Sequence, residues 1–236
     1  MFSGIYQNLK WGDGSDAKPL SGEGSIPELA APYVDFVQKV INRFEIKSVL
    51  DCGHGDWSMW RDFRFEGIDY LGLDVADGIS EKVSESFGSA NRKFLQADFC
   101  YSELPRADLL LTKDVLQHLS TNDVRRFLRN IQDQKFLILC NDFESSDSWF
   151  DSFRRSIQVR TRLQRLRSKR SPFYRVGRES KPKNNRNISA GECRGIDLRR
   201  RPFSRSLVRY ELLETFEFLV AAYPPVTKRV FLFKKR

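Results

Sequence analysis

Between Lys47 and Cys140 the chain alternates short apolar runs with segments of helical period, and few folds accommodate that order. The runs are Lys47–Cys52, Tyr70–Val75, Lys93–Ala97, Ala107–Thr112 and Phe136–Cys140. Ile79–Phe87 and Asn122–Gln132 lie between them and repeat apolar residues at helical spacing, the second with Ser120 or Thr121 as its N-cap. Short apolar strands that take turns with helices build a parallel sheet covered on both faces. A further helix precedes the first strand. Ser25 and Glu28 have capping-box spacing, Pro27 sits in the first turn, and Leu29, Tyr33, Phe36, Val37, Val40 and Ile41 keep a helical period to about Phe44.

The alternation stops at Asp142. Asp151–Lys169 has the composition of a basic helix and Ser171–Asn187 that of a loop. Two β-rich stretches, about Ser206–Phe218 and Lys228–Lys234, follow with Pro224-Pro225 between them, and they suit a closing antiparallel pair. Residues 1–24 are polar and contain Gly12, Gly14, Gly22 and Gly24, which reads as an extended arm before one domain spanning 25–236. A basic insertion at about 151–190 interrupts that domain.

The chain has 236 residues, 40% of them hydrophobic and 19 of them Phe, enough for one sizeable core. No apolar run exceeds about half a dozen residues, and a membrane-spanning helix needs about 20. The first ten residues lack a signal peptide's basic start and apolar stretch, which places the protein in the cytoplasm. There, four scattered Cys (Cys52, Cys100, Cys140, Cys193) read as free thiols. No cluster has metal-ligand spacing.

The net charge of +9 is unevenly placed: Arg154–Arg186 holds 13 Lys and Arg against one acid, Glu179, or +12, which leaves 9 − 12 = −3 for the remainder. The segment reads as a solvated insertion, as an electropositive lid over an anionic small acceptor, or as a phosphate-contacting surface for RNA. Its only aromatics, Phe173 and Tyr174, are few for a single-strand stacking platform, which favours the first two readings.

Chemistry concentrates at the strand ends. Ser48-Val-Leu-Asp51-Cys-Gly53-His-Gly55-Asp-Trp57 runs a buried strand into a glycine turn, where a Cβ would block a ligand's approach to the backbone. A dinucleotide fingerprint wants Gly at position 58, where Ser58 stands, and has no acid ahead of its glycines. Asp51 repels a pyrophosphate and suits the amino acid end and sulfonium of S-adenosyl-L-methionine. Asp74 ends the second strand 19 residues after Gly55, the spacing at which a carboxylate accepts two ribose hydroxyls. Asp98 ends the third strand and suits an adenine amino group, with Phe99 beside the ring.

Together these residues resemble class I S-adenosylmethionine-dependent methyltransferases over about Gly24–Cys140. Val49–Gly55 looks like motif I, Gly72-Leu-Asp74 like motif II, Ala97-Asp98-Phe99 like the third, and Asp108–Leu119 like the fourth strand and its turn. Leu20–Ser25, Lys113–His118 and Gly191–Leu198 with Pro202-Phe203 are similar to small bacterial methyltransferases of unassigned substrate. The resemblance implies a Rossmann-like, doubly wound, mostly parallel seven-stranded sheet with an antiparallel last strand and the basic insertion after strand five. It also implies cofactor contacts from Gly22, Ser25, Val75 and Lys113, the arm closing over the cofactor. Trp57 stands where motif I has its third glycine, which implies a narrowed pocket mouth.

For the chemistry, His118 on the pocket rim is either a general base for a hydroxyl or amine acceptor or a structural histidine. Asp114 either orients the acceptor or caps the next helix. His54 reads as a solvent-facing loop residue. Arg175, Arg178 and Arg194 are placed near turns at Gly177 and Gly191–Gly195 that can bring them inward, and Asp197 reads as part of a pocket wall. The expected activity is methyl transfer to a small-molecule or glycan-type acceptor. An RNA methyltransferase, or a catalytically silent nucleic-acid-binding domain, is the alternative.

Overall fold

The computed structural model describes residues 2–143, 184–220 and 226–236. Most of the basic insertion, including Arg175, Arg178, the expected helix Asp151–Lys169 and most of the loop Ser171–Asn187, lies outside the described residues, as do Pro224 and Pro225.

Seven strands form one sheet: β1 (Ser48–Cys52), β2 (Asp69–Asp74), β3 (Arg92–Gln96), β4 (Leu109–Lys113), β5 (Phe136–Asp142), β6 (Tyr210–Val220) and β7 (Val226–Lys235). Their order is β3-β2-β1-β4-β5-β7-β6. The first five run parallel; β7 lies antiparallel to β5, and β6 antiparallel to β7. Both closing strands therefore run opposite to their neighbours, as a tight succession at one sheet edge requires. The winding reverses between β1 and β4, so the crevice beyond their C-terminal ends is where an open sheet of this kind takes a ligand.

Strand alternation fills two cores. Val49, Leu109, Leu111, Ile138 and Leu232 face a layer built by helix α2 (Pro27–Phe44) and helix α3 (Ile79–Phe87). Leu50, Leu110, Leu137, Leu139 and Phe231 face helix α4 (Thr121–Asn130) and the returning segment with Ile196 and Phe203. That is why the central strands read as continuous apolar runs instead of alternating ones. In α4, Ser120 is the N-cap, its hydroxyl accepting from the Asp123 amide at 3.2 Å.

Three local expectations change. The capping box at Ser25 does not form: Glu23–Ser25 is a single 3-10 turn, and α2 starts at Pro27 with Ile26 as an uncapped N-cap. A Pro at the first helical position fixes φ and has no amide to satisfy, so the helix starts there without a side-chain cap. The arm is not extended throughout. Phe2–Gln7 forms a short helix, α1, burying Ile5, and six residues are too few to show a helical period in sequence. Trp57 does not narrow a pocket mouth. Its backbone takes the left-handed conformation a glycine would take, φ 63°. Its ring is buried among Phe65, Phe87 and Phe94, and its indole N–H donates to the Tyr70 hydroxyl at 3.0 Å.

Candidate functional site

A cavity opens where β1, β2 and β4 end. Of the residues singled out from sequence, it is lined by Gly53, Gly55, Asp74, Val75, Phe99, Lys113, Asp114, His118 and Ser25. Phe2, Tyr6, Trp11 and Ser21 of the arm, with His54, Met59, Val115 and Leu119, complete the wall. The sequence reading did not place Phe2, Tyr6, Trp11 or Met59 at the site, although aromatics at positions 2, 6 and 11 of an otherwise polar arm are a signal of burial.

The glycine turn is shaped by backbone necessity. Gly53 has φ 90°, and a Cβ there would lie 2.3 Å from a methyl of Val115. Gly55 has φ 59°, and its Cβ would lie 2.1 Å from the Ser21 hydroxyl. Asp74 braces the turn from below. One carboxylate oxygen accepts from the Gly55 amide at 3.1 Å and the other from the Ala76 amide at 3.0 Å. Each oxygen keeps lone pairs for a ligand, and the residue is buried in the cavity wall.

Asp51 and Asp98 sit differently from Asp74, and neither lines the cavity. The Asp51 carboxylate turns into the core and accepts from the Tyr70 hydroxyl at 2.7 Å and the Trp60 indole at 3.1 Å. Burial pushes its pKa up to about 6, against the opposing pull of those two donors. Asp98 accepts from the Cys100 amide at 3.0 Å and shapes the turn that brings Phe99 to the wall. Gly22 supports the arm, its left-handed φ of 91° placing the 3-10 turn Glu23–Ser25 over the cavity.

Charge is arranged around Asp114, which has φ 60°. Its carboxylate receives Lys113 at 2.5 Å and Lys228 of β7 at 2.6 Å. Burial alone would raise the Asp114 pKa, but the two ammonium groups hold it well below the usual carboxylate range. The group is therefore an ionised anion at neutral pH, too weak a base to take a proton, and Ser120 has the capping role in its place. Lys113 also donates to the Gly24 carbonyl at 2.7 Å, tying the arm to the end of β4.

His118 stands in the cavity wall with a defined tautomer. Its Nδ1 lies 3.0 Å from the Glu192 carbonyl, which can only accept, so Nδ1 carries the proton and Nε2 a lone pair, which the Gln117 side-chain amide faces at 3.4 Å. Burial lowers its pKa below the ordinary value, which keeps the ring neutral at pH 7. Trp11 packs on the ring with centroids 5.2 Å apart. His54, expected at the surface, is buried: its Nδ1 donates to the Gly55 carbonyl at 2.7 Å and its Nε2 lies 3.1 Å from the Ser80 hydroxyl. Packing against Phe94 across the sheet face outweighed the loop's polarity.

Arg194 and Asp197 are buried behind the wall and do not line the cavity. Asp197 is paired with Arg199, Arg200 and Arg229 and fixes the chain after the insertion. Arg194 donates from Nη1 to the Leu119 carbonyl at 2.5 Å, while Nε and Nη2 have no hydrogen-bond partner among the described residues. Burial pulls its pKa down to about 10. Among the described residues no group of His, Cys, Asp and Glu is arranged to hold a metal. Among them, too, no helix is long and apolar enough to cross a membrane.

No protein-family profile and no curated relative matches the sequence. Solved structures do match the fold. Magnesium protoporphyrin IX methyltransferase from Synechocystis PCC 6803, solved with bound S-adenosylhomocysteine, is 15% identical with a TM-score of 0.59, covering 99% of this chain and 94% of its own. An S-adenosylmethionine-dependent methyltransferase from Clostridium acetobutylicum ATCC 824 is 10% identical with a TM-score of 0.56, over 87% and 91% of the two chains. The [4+2]-cyclase SpnF is 12% identical with a TM-score of 0.55, over 86% and 81%. With its strand order, its antiparallel β7 and its cavity beyond β1 and β4, the chain has the Rossmann-like fold of the class I S-adenosylmethionine-dependent methyltransferases.

Proposed function

We propose that the protein transfers a methyl group from S-adenosyl-L-methionine to a small-molecule or glycan-type acceptor. The observation that carries this reading is Asp74: a buried carboxylate in the cavity wall, braced by the turn of Gly53 and Gly55, with lone pairs left for a ribose diol. The charged side chains lining the cavity, Asp74, Lys113 and Asp114, sum to −1, which complements a cationic sulfonium ligand. The absence of Asp51 from the wall leaves Asp114 as the anion nearest in kind to the role first assigned to Asp51.

When bound, the cofactor supplies a methyl group already activated by its sulfonium. The protein's part is to hold the acceptor in line and to take its proton. Neutral His118 removes the proton from an acceptor O–H or N–H through Nε2, the acceptor replacing the long 3.4 Å contact from the Gln117 side-chain amide, and the imidazolium is stabilised by the Glu192 carbonyl. Trp11 and Leu119 border this end and exclude water. The arm, residues 1–24, covers the cofactor.

Calorimetric titration of the full chain with S-adenosylmethionine, S-adenosylhomocysteine and NAD tests the reading. Binding of the first two with no NAD response is expected. Tight NAD binding with no response to the sulfonium compound would overturn it. One observation favours a second reading: the +12 segment Arg154–Arg186 suits an RNA acceptor, or nucleic-acid binding without catalysis.

A further inference from the structure

The last two strands contribute a feature that closing a sheet does not require. Lys228 and Arg229 are consecutive residues of β7, and both are buried. Consecutive strand residues face opposite sides of a sheet. Arg229 pairs with Asp197 and Glu217, which secures the segment after the insertion. Lys228 pairs on the other side, at 2.6 Å with Asp114 and at 2.5 Å with Asp142, its direct cross-strand partner on β5. With Lys113 at 2.5 Å on the other oxygen of Asp114, two ammonium and two carboxylate groups form an alternating, electrically balanced row, Lys113–Asp114–Lys228–Asp142, at the cavity.

A buried ion pair can often be replaced by apolar side chains with no loss of stability, so the fold alone does not call for this set. Only its upper half, Lys113 and Asp114, lines the cavity. Asp114 is held there in a left-handed backbone conformation, and the arm packs on it so closely that a Cβ on Gly24 would lie 2.5 Å from its carboxylate. An ammonium and a carboxylate fixed side by side match a ligand group with the same two charges in reverse, an α-amino acid zwitterion.

We infer that Lys228 is a positioning residue: through Asp114 it presets the Lys113–Asp114 charge pair to receive the amino-acid end of the cofactor. The inference rests on the cofactor reading above. Lys228 itself does not line the cavity. It prevents Asp114 from rotating onto Lys113 alone and leaves that side chain with capacity toward the ligand. Asp142 in turn holds Lys228, and its own amide donates to the Gln117 side-chain carbonyl at 2.7 Å, which links the set to the turn carrying His118.

The test compares two ligands that differ only in this end. S-adenosylhomocysteine carries the amino-acid group; 5′-methylthioadenosine has the same adenosine thioether without it. Both are titrated calorimetrically into the full-length wild type, Lys228→Met and Lys228→Arg. The expected result is a loss of about tenfold or more for S-adenosylhomocysteine in Lys228→Met, with methylthioadenosine within about twofold of wild type. Lys228→Arg, which keeps the charge but not the compact geometry, is expected to lose affinity for S-adenosylhomocysteine selectively and to a smaller degree. It provides the decisive comparison if the Met variant does not fold. Equal weakening of both ligands, or unchanged S-adenosylhomocysteine affinity in a folded variant, overturns the inference alone. Failure of the wild type to bind either ligand overturns the cofactor reading and the inference with it.

Discussion

Three carboxylates at three strand ends have three different fates, decided by what surrounds each. Asp74 meets backbone amides and stays at the wall; Asp51 meets Tyr70 and Trp60 and turns inward; Asp98 closes its own turn. Asp74→Ala is expected to weaken S-adenosylhomocysteine binding at least about tenfold, since bonds to a charged group are worth roughly 1.5–3 kcal/mol each; calorimetry on a variant with wild-type circular dichroism checks this. Asp51 gives a stability prediction. Its folded pKa of about 6 lies above the unfolded value near 3.9, so its ionisation costs stability as pH rises through that window. Asp51→Asn cannot ionise. Its melting temperature relative to wild type should therefore rise between about pH 4 and pH 7, by an amount corresponding to at most about 3 kcal/mol. A pH-independent difference would show that Asp51 does not carry this cost. For His118, the lowered pKa places loss of the basic form below about pH 6.5. Methyl transfer should persist down to that pH and fall beneath it. His118→Asn should reduce kcat by about 10²- to 10⁴-fold and remove the acidic limb of the profile.

At the scale of elements, the arm is the part that sequence reading described least well. It is fastened to the glycine turn by Ser21, whose hydroxyl donates to Asp56 at 2.9 Å and accepts from the Asp56 amide at 2.7 Å, and Lys113 fastens it again at Gly24. These bonds join segments 35 and 89 residues apart, which no local pattern reveals. Ser21→Ala removes both hydroxyl bonds, worth about 1 kcal/mol each, and keeps the Ser21 amide bond to Asp56. Limited proteolysis should then cut within residues 2–25 several times faster than in wild type, with the melting temperature of the domain nearly unchanged and protection restored by S-adenosylhomocysteine. Cleavage at the wild-type rate would mean that the Ser21 hydroxyl does not fasten the arm. Helices α2, α3 and α4 and the central strands were legible because each carries its own periodic or continuous apolar signal.

For the whole molecule, fold and reaction are separate questions, as the shared fold of methyltransferases and a [4+2]-cyclase shows. What divides the small-acceptor reading from the RNA reading is how many charges of the basic segment engage. A polymer engages several Lys and Arg together, and log affinity then falls with log salt at a slope of several units; a small anion engages one or two. With the small-acceptor reading, RNA binding at physiological salt should be weak and its slope shallow. Submicromolar RNA binding with a slope beyond about four, abolished by neutralising the Lys and Arg between Arg160 and Arg170, would reverse the choice. The sequence by itself determined the order of strands and helices, the glycine turn and Asp74, because those depend on apolar period and on spacing along a few neighbouring residues. Only the tertiary structure decided that Asp51 leaves the wall, that His54 is buried, that Trp57 adopts a glycine's conformation inside the core, and that Lys228 stands under Asp114. Each of these depends on which side chain from a distant strand or loop arrives at the same point, and packing and charge pairing between such segments leave no periodic trace in the chain.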